Sequence, residues 1–259
     1  MKIVALGLDA AGRNCFISSM YSYLKNNIVN GFEIDDEDGS NFNEHLLSQY
    51  HSIKEGQWPA GTCETYIYDM SIVYCKQPVL TVSIMDLRSS LMERGSRVVE
   101  NINEFKPDSF WLFLPMDYLK NHEDLDSRMR IQFYLRRFLL LINHTINLWN
   151  KPSVTIVLTK SDLVKEPLMY IKTVEFLKGL IDSLFAKDSG YYIGIVPVSI
   201  IENGRIELKN VHLPLMFTTF SHLFKTCVYI DSHLKVEMCA KLLFELKDKC
   251  LIYKSGVKL

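Results

Sequence analysis

The chain predicts an α/β fold: a mostly parallel six-stranded sheet with one antiparallel edge strand and helices on both faces. Three observations carry that expectation. Short apolar runs rich in β-branched and aromatic residues recur at 2–6, 65–74, 79–85, 109–115, 153–159 and 192–199, and helix-length segments separate most of them, the alternation that builds parallel sheets. The first run leads into Gly7-Leu-Asp9-Ala10-Ala11-Gly12-Arg13-Asn14, a glycine-spaced turn of the kind that carries a strand into a helix around a phosphate. Three later runs end in polar groups, Asp86, Thr159-Lys160-Ser161-Asp162 and Ser199, and strand ends are where such sheets gather a ligand site.

In chain order, a helix is expected at about 12–26, directly after the glycine loop. The segment 30–57 then breaks the rhythm as an acidic insertion: Glu33, Asp35, Asp36, Glu37, Asp38 and Glu44 read as a solvated loop, and His45–Tyr50 as a short helix. The runs 65–74 and 79–85 are joined by Lys76-Gln77-Pro78, a hairpin-like connection that supplies the antiparallel strand. Further helices are expected at 90–104, 122–149, 167–187, 211–228 and 232–250. The 122–149 helix has an acidic first turn, Glu123-Asp124, and a face of Leu135, Phe138, Leu139, Ile142 and Ile146 that should lie on the sheet. The last helix carries Leu234, Met238, Leu242, Leu246 and Cys250 on one stripe behind an Asp231-Ser232 N-cap. This divides the chain into a domain over 1–229 and a C-terminal helical extension over 230–259 packed on the same domain.

Composition narrows the function classes. With 259 residues, 48% of them hydrophobic, the chain is long enough to bury a substantial core. A net charge of −1, from 29 basic and 30 acidic residues, gives no field that would draw nucleic acid or an anionic membrane. The six cysteines, at 15, 63, 75, 227, 239 and 250, form no C-x-x-C pair and read as reduced thiols of a cytoplasmic protein. The N-terminal apolar run is too short for a signal peptide, and Phe138–Ile142 is core rather than membrane, so no membrane insertion is expected. His45, His51 and His122 lack the spacing of metal ligands, and Asp36-Glu37-Asp38 lacks the glycine and terminal Glu of a calcium loop.

The chemistry lies in the loop and the strand ends. In the phosphate-binding pattern G-x-x-x-x-G-K-[ST], backbone N–H groups surround phosphates, a Lys meets the β/γ oxygens and a hydroxyl meets Mg²⁺. Here Arg13 stands in the Lys position and Asn14 in the hydroxyl position, while the glycine spacing is kept. Strand 79–85 ends in Asp86, placed where a carboxylate holds Mg²⁺ through water.

Thr159-Lys160-Ser161-Asp162 resembles the guanine-recognition motif N-K-x-D of TRAFAC-class GTPases, with Thr in the first place. A carboxylate at the Asp162 position accepts two hydrogen bonds from the N1–H and N2–H₂ edge of guanine, a pair adenine cannot offer, and the Lys stem lies over the ring. Gly7-Leu-Asp9-Ala10-Ala11-Gly12 is similar to the loop of Arf-type small GTPases, and the motif order spans about residues 1 to 229. Trp58-Pro59-Ala60-Gly61-Thr62 resembles the W-P-x-x-T element of double-GTPase-like TRAFAC domains and precedes the edge strand, where a switch I belongs. The resemblance implies a P-loop small-GTPase-like three-layer sandwich with an extra C-terminal helix. It implies a nucleotide site of Gly7, Asp9, Ala10, Ala11, Gly12, Arg13, Asn14, Cys15, Thr159, Lys160, Asp162 and Ser199 that takes GTP or GDP, and Asn14, Thr62 and Asp86 as the residues nearest a Mg²⁺.

The departures from that family agree with one another. A guanidinium cannot reproduce the point-charge contact of the Lys, and an amide oxygen is a poorer ligand for compact octahedral Mg²⁺. The motif D-x-x-G reads Asp86-Leu87-Arg88-Ser89, with Ser90 where a water-orienting Gln is common. Charge stabilisation is nearly the whole of phosphoryl transfer, and one well-placed Arg is worth about 10³ to 10⁵ in rate, so binding should outlast catalysis and Mg²⁺ should be held weakly or not at all. No catalytic residue is named. Three readings fit: a guanine-nucleotide-binding protein that signals through protein partners with little turnover, an interaction module that binds no nucleotide and fills its phosphate site with Arg13, and a GTPase completed by a partner's residue in trans.

Overall fold

The computed structural model describes residues 1–8, 10–36, 41–59, 64–87, 95–119, 124–145, 151–164, 166–184, 190–202, 204–225 and 231–254. Ten strands and eight helices are defined within them: β1 (Lys2–Gly7), α1 (Arg13–Asn26), β2 (Phe32–Asp35), α2 (Asn41–Lys54), β3 (Tyr66–Tyr74), β4 (Gln77–Asp86), α3 (Gly95–Phe105), β5 (Ser109–Pro115), α4 (Met116–Leu119), α5 (Leu125–Thr145), β6 (Ser153–Thr159), α6 (Pro167–Leu184), β7 (Tyr192–Pro197), β8 (Ser199–Glu202), β9 (Arg205–Lys209), α7 (Leu213–Lys225), α8 (Ser232–Leu246) and β10 (Leu251–Lys254).

Eight of the strands form one sheet in the order β10-β7-β6-β5-β1-β4-β3-β2, and β8 pairs with β9 as a separate hairpin. The five central strands from β4 to β7 run parallel. β5 and β6 are buried at every position, as strands covered by helices on both faces must be. On one face α3, α4, α5 and α6 enclose a core that includes Ile102, Leu119, Phe138 and Ile181; on the other, α1, α2, α7 and α8 enclose Phe16, Leu46, Phe217 and Met238. This is the three-layer, mostly parallel α/β architecture that the sequence predicts.

The sheet is two strands wider than expected. β3 is antiparallel to β4, as the sequence indicates, but β2 pairs along its outer side, so β3 is not an edge. β2 comes from the acidic insertion, where Phe32 and Ile34 alternate with Glu33 and Asp35 and only the apolar pair is buried. The rest of that insertion is likewise not a plain solvated loop. α2 runs well beyond His45–Tyr50 and buries Leu46, Tyr50 and Ile53. Lys25 bridges Asp35 and Asp36 at 3.0 and 2.8 Å; Glu37 and Asp38 lie outside the described residues. The second extra strand, β10, lies just past the expected last helix, in the stretch 230–259 expected to be a helical extension. α8 stops at Leu246, Asp248 takes φ 63, and Leu251–Lys254 pairs antiparallel to β7.

The hairpin between β3 and β4 turns at Cys75 and Lys76, both with positive φ (48 and 67), the backbone of a tight two-residue hairpin turn. α8 begins as the sequence indicates: the Asp231 carboxylate accepts from the His233 and Leu234 N–H groups at 2.9 and 3.1 Å. Met238, Leu242 and Leu246 are buried, and Glu237 accepts a 2.7 Å hydrogen bond from Tyr74 of β3. The four described cysteines, Cys15, Cys75, Cys239 and Cys250, are free thiols. Among the described residues no helix is long and apolar enough to cross a membrane.

Candidate nucleotide site

β1 ends at Gly7, where there is no space for a side chain: a Cβ would meet Phe113 Cβ at 2.9 Å and the Arg13 stem at 3.1 Å. The chain then turns through Ala10 (φ 57) and Gly12 (φ 76) into α1. Gly12 is the N-cap and offers no side-chain cap. The first-turn N–H groups of a helix have no carbonyl within that helix, and together with the dipole they make its end a site for an anion. Asp9 lies outside the described residues.

The loop is tied to the distant end of β6. The Thr159 hydroxyl donates to the Ala11 carbonyl at 2.8 Å, and both groups are buried. Lys160 follows with φ 56, which redirects the chain into a 3-10 turn at Ser161–Leu163. Ser161 N–H donates to the Val198 carbonyl at 3.1 Å, and Lys160 Nζ lies 3.0 Å from Asp117 Oδ2 beyond the end of β5. The Ser199 hydroxyl donates to Asp162 Oδ1 at 2.9 Å. Asp117 is a site neighbour that the motif reading misses; its signal is a carboxylate two residues past a strand end, next to the other strand ends.

The loop, Thr159, Lys160 and Asp162 border one cavity of about 520 Å³. Its loop side is Ala10 to Cys15, its far side Lys160 and Asp162, and its apolar walls include Trp58, Leu163 and Ile200. Of the twelve residues implied for nucleotide binding, Ala10, Ala11, Gly12, Arg13, Asn14, Cys15, Thr159, Lys160 and Asp162 line it. Gly7 lies beneath the loop and Ser199 reaches it through Asp162. Burial pushes the Cys15 thiol up to about 11, so the sulfur facing the loop is a neutral thiol near pH 7.

Arg13 does not extend over the loop as a phosphate-contacting side chain would. It is 5% exposed, its Nε lies 3.3 Å from Asp86 Oδ1, and its Nη1 lies 3.5 Å from the Gly7 carbonyl. Asp86 is fully buried at the end of β4, level with Ala5 of β1. Nearby Tyr134 of α5 is buried, which raises its pKa against the opposing charge of Arg13.

This arrangement does not fit a resident Mg²⁺. The implied carboxylate is engaged by a guanidinium, and the loop offers the Asn14 amide in place of a hydroxyl. Thr62, Arg88, Ser89 and Ser90 lie outside the described residues. A guanine nucleotide does fit the residues present: a cavity joins the helix N-terminus to the Asp162 carboxylate, the two features that would meet its opposite ends.

The glycine loop, the carboxylate ending β4 and the Thr-Lys-Ser-Asp run after β6, set on this sheet, make the architecture that of a small-GTPase-like P-loop protein. No protein-family model matches the chain, and no curated protein matches it by sequence. Among solved structures, the S. cerevisiae Ski7 GTPase-like domain bound to GTP is similar over 91% of this chain and 52% of that one, at 13% identity and a TM-score of 0.49. This chain therefore spans about half the length of that one. The Arl6 BBS3 small GTPase from Trypanosoma brucei with bound GppNp is similar over 85% of this chain and 96% of that one, at 9% identity and a TM-score of 0.46. The signal recognition particle receptor SRb-GTP/SRX complex from Chaetomium thermophilum has a chain similar over 78% of this one and 92% of its own length, at 11% identity and a TM-score of 0.47.

Proposed function

We propose that this is a guanine-nucleotide-binding regulatory protein that holds GTP or GDP without depending on Mg²⁺, hydrolyses it weakly or not at all, and acts through protein partners. The observation that carries the reading is the pairing of Arg13 with Asp86 beside a cavity that still joins the loop to Asp162. Loop amides and helix dipole attract the phosphates without a Lys, and Asp162 selects guanine. The groups that would act on a γ-phosphate are either committed to one another or replaced. A domain over 1–229 with its C-terminal extension packed upon it provides the body on which nucleotide and partner meet.

The test is titration of the purified protein with fluorescent GDP and GTP, with Mg²⁺ and with EDTA. Saturable binding in both buffers is expected. Asp162→Ala should weaken it by about 1.5–3 kcal/mol, the worth of hydrogen bonds to a charged group, which is roughly ten- to a hundredfold, while adenine nucleotides bind poorly throughout. Absence of binding up to millimolar nucleotide would overturn the proposal. That result would favour the second reading, an interaction module without nucleotide, although Arg13 turns to Asp86 rather than filling the phosphate site as that reading expects.

A further inference from the structure

We propose that the outer face of α5 is a docking seam for an acidic amphipathic helix of a protein partner. The inner face of α5 is spent on the core, where Leu135, Phe138, Leu139 and Ile142 are buried. On the other side Leu125, Met129, Phe133 and Leu140 are 67, 57, 65 and 57% exposed. Single exposed apolar residues are ordinary, but a row of them on one helix is not.

The spacing tells what the row fits. With Arg136 included, the exposed positions 125, 129, 133, 136 and 140 advance by four, four, three and four residues. That is the seam of a helix that pairs with another helix. The positions directly flanking such a seam set the partner's charge; on one side they are Asp126, Arg130 and Arg137, two cations against one carboxylate, and on the other Gln132, with the Arg137 guanidinium 5.8 Å from the Phe133 ring. α5 as a whole carries Arg128, Arg130, Arg136 and Arg137 against Asp126 alone, in a chain whose net charge is −1.

Charge complementarity chooses the occupant. A second copy docked through the same face would place Arg130, Arg136 and Arg137 against their own equivalents, because a two-fold contact sets the same patch on both sides. A lipid surface calls for a broad apolar sector, whereas this row is one residue wide and holds an arginine. A partner helix with apolar residues at its own seam and Asp or Glu beside it satisfies both the row and its flanks.

The inference names the partner contact of the function proposed above, and the experiment separates the two. The full chain is titrated with two synthetic helical peptides, both with Leu at the seam positions, one flanked by Glu and the other by Lys, by fluorescence anisotropy. The Glu peptide should bind at least about tenfold more tightly, a difference of about 1.4 kcal/mol. Phe133→Ser should abolish most of that binding, and Arg130→Glu with Arg137→Glu should invert the preference; thermal midpoints stay unchanged because the sites lie outside the core. Equal binding of both peptides, no saturable binding, or indifference to Phe133→Ser would overturn the proposal. So would a Phe133-dependent dimer in sedimentation, or Phe133-dependent binding to phosphatidylserine vesicles in its place. Fluorescent GDP binding on the same samples reports the nucleotide site independently.

Discussion

Arg13 and Asp86 form a buried ion pair, Nε to Oδ1 at 3.3 Å, between the first residue of α1 and the last residue of β4. The pair joins the glycine loop to the end of β4. A buried pair contributes little net stability when formed but is costly to break, because the remaining charge has no water to replace its partner. Asp86→Ala should therefore lower the unfolding free energy by about 3–5 kcal/mol, whereas Arg13→Met combined with Asp86→Leu should recover most of it. Urea denaturation of the three proteins decides, and a single variant as stable as the double would contradict this account of the pair.

The same pair sets the response to Mg²⁺. Nucleotide affinity of the natural sequence should be the same with Mg²⁺ and with EDTA. Arg13→Lys with Asn14→Ser releases Asp86 from its guanidinium and restores a hydroxyl, the hard oxygen ligand that compact octahedral Mg²⁺ takes in such loops. GDP binding by that variant should strengthen on adding Mg²⁺. A calorimetric titration that finds the natural sequence already dependent on Mg²⁺ would reverse the assignment.

Thr159 links the two halves of the site through its bond to the Ala11 carbonyl. Thr159→Val keeps the shape and removes the donor, leaving a buried carbonyl unsatisfied at a cost of about 1–3 kcal/mol. The loop should loosen with it, so fluorescent GDP should dissociate faster while guanine selectivity, assigned to Asp162 in the proposed function, is kept. Unchanged off-rates would show that the loop holds its shape without β6.

What could be read from the sequence divides along physical lines. Strands buried on both faces, such as Phe110–Leu114, a continuous apolar run, and Val154–Leu158, apolar but for the β-branched Thr155, announce themselves. β2 and β10 do not, because each is four residues long and draws its identity from pairing with β3 or β7 rather than from its own pattern. The turn through Gly12 and the gathering of the loop with the ends of β4 and β6 were legible, because glycine spacing and polar groups after apolar runs mark them. That Arg13 turns toward Asp86 was not, since it depends on Gly7 leaving room for the Arg13 stem and on β4 ending level with β1. Asp117 was hidden for the same reason: only the sheet brings the end of β5 beside Lys160.

His212 gives the fold an acid-sensitive joint. It is buried, stacks on Tyr23 of α1 with ring centroids 5.2 Å apart, and places Nε2 2.9 Å from Glu245 of α8. Burial holds its pKa below the usual 6.5 against the opposing effect of Glu245. The geometry explains the direction: with Nε2 facing the carboxylate, Nδ1 is buried with no hydrogen-bond partner among the described residues, and protonation would place an unsatisfied N–H there. Below pH 6.5 the unfolded chain takes up this proton before the folded one does, so the unfolded state binds more protons and stability falls as pH falls. Thermal melts should show the natural sequence losing stability between pH 6.5 and 5, and His212→Gln should show a shallower loss over that window despite a lower midpoint at pH 7.5. Parallel pH profiles for the two proteins would place the acid sensitivity elsewhere.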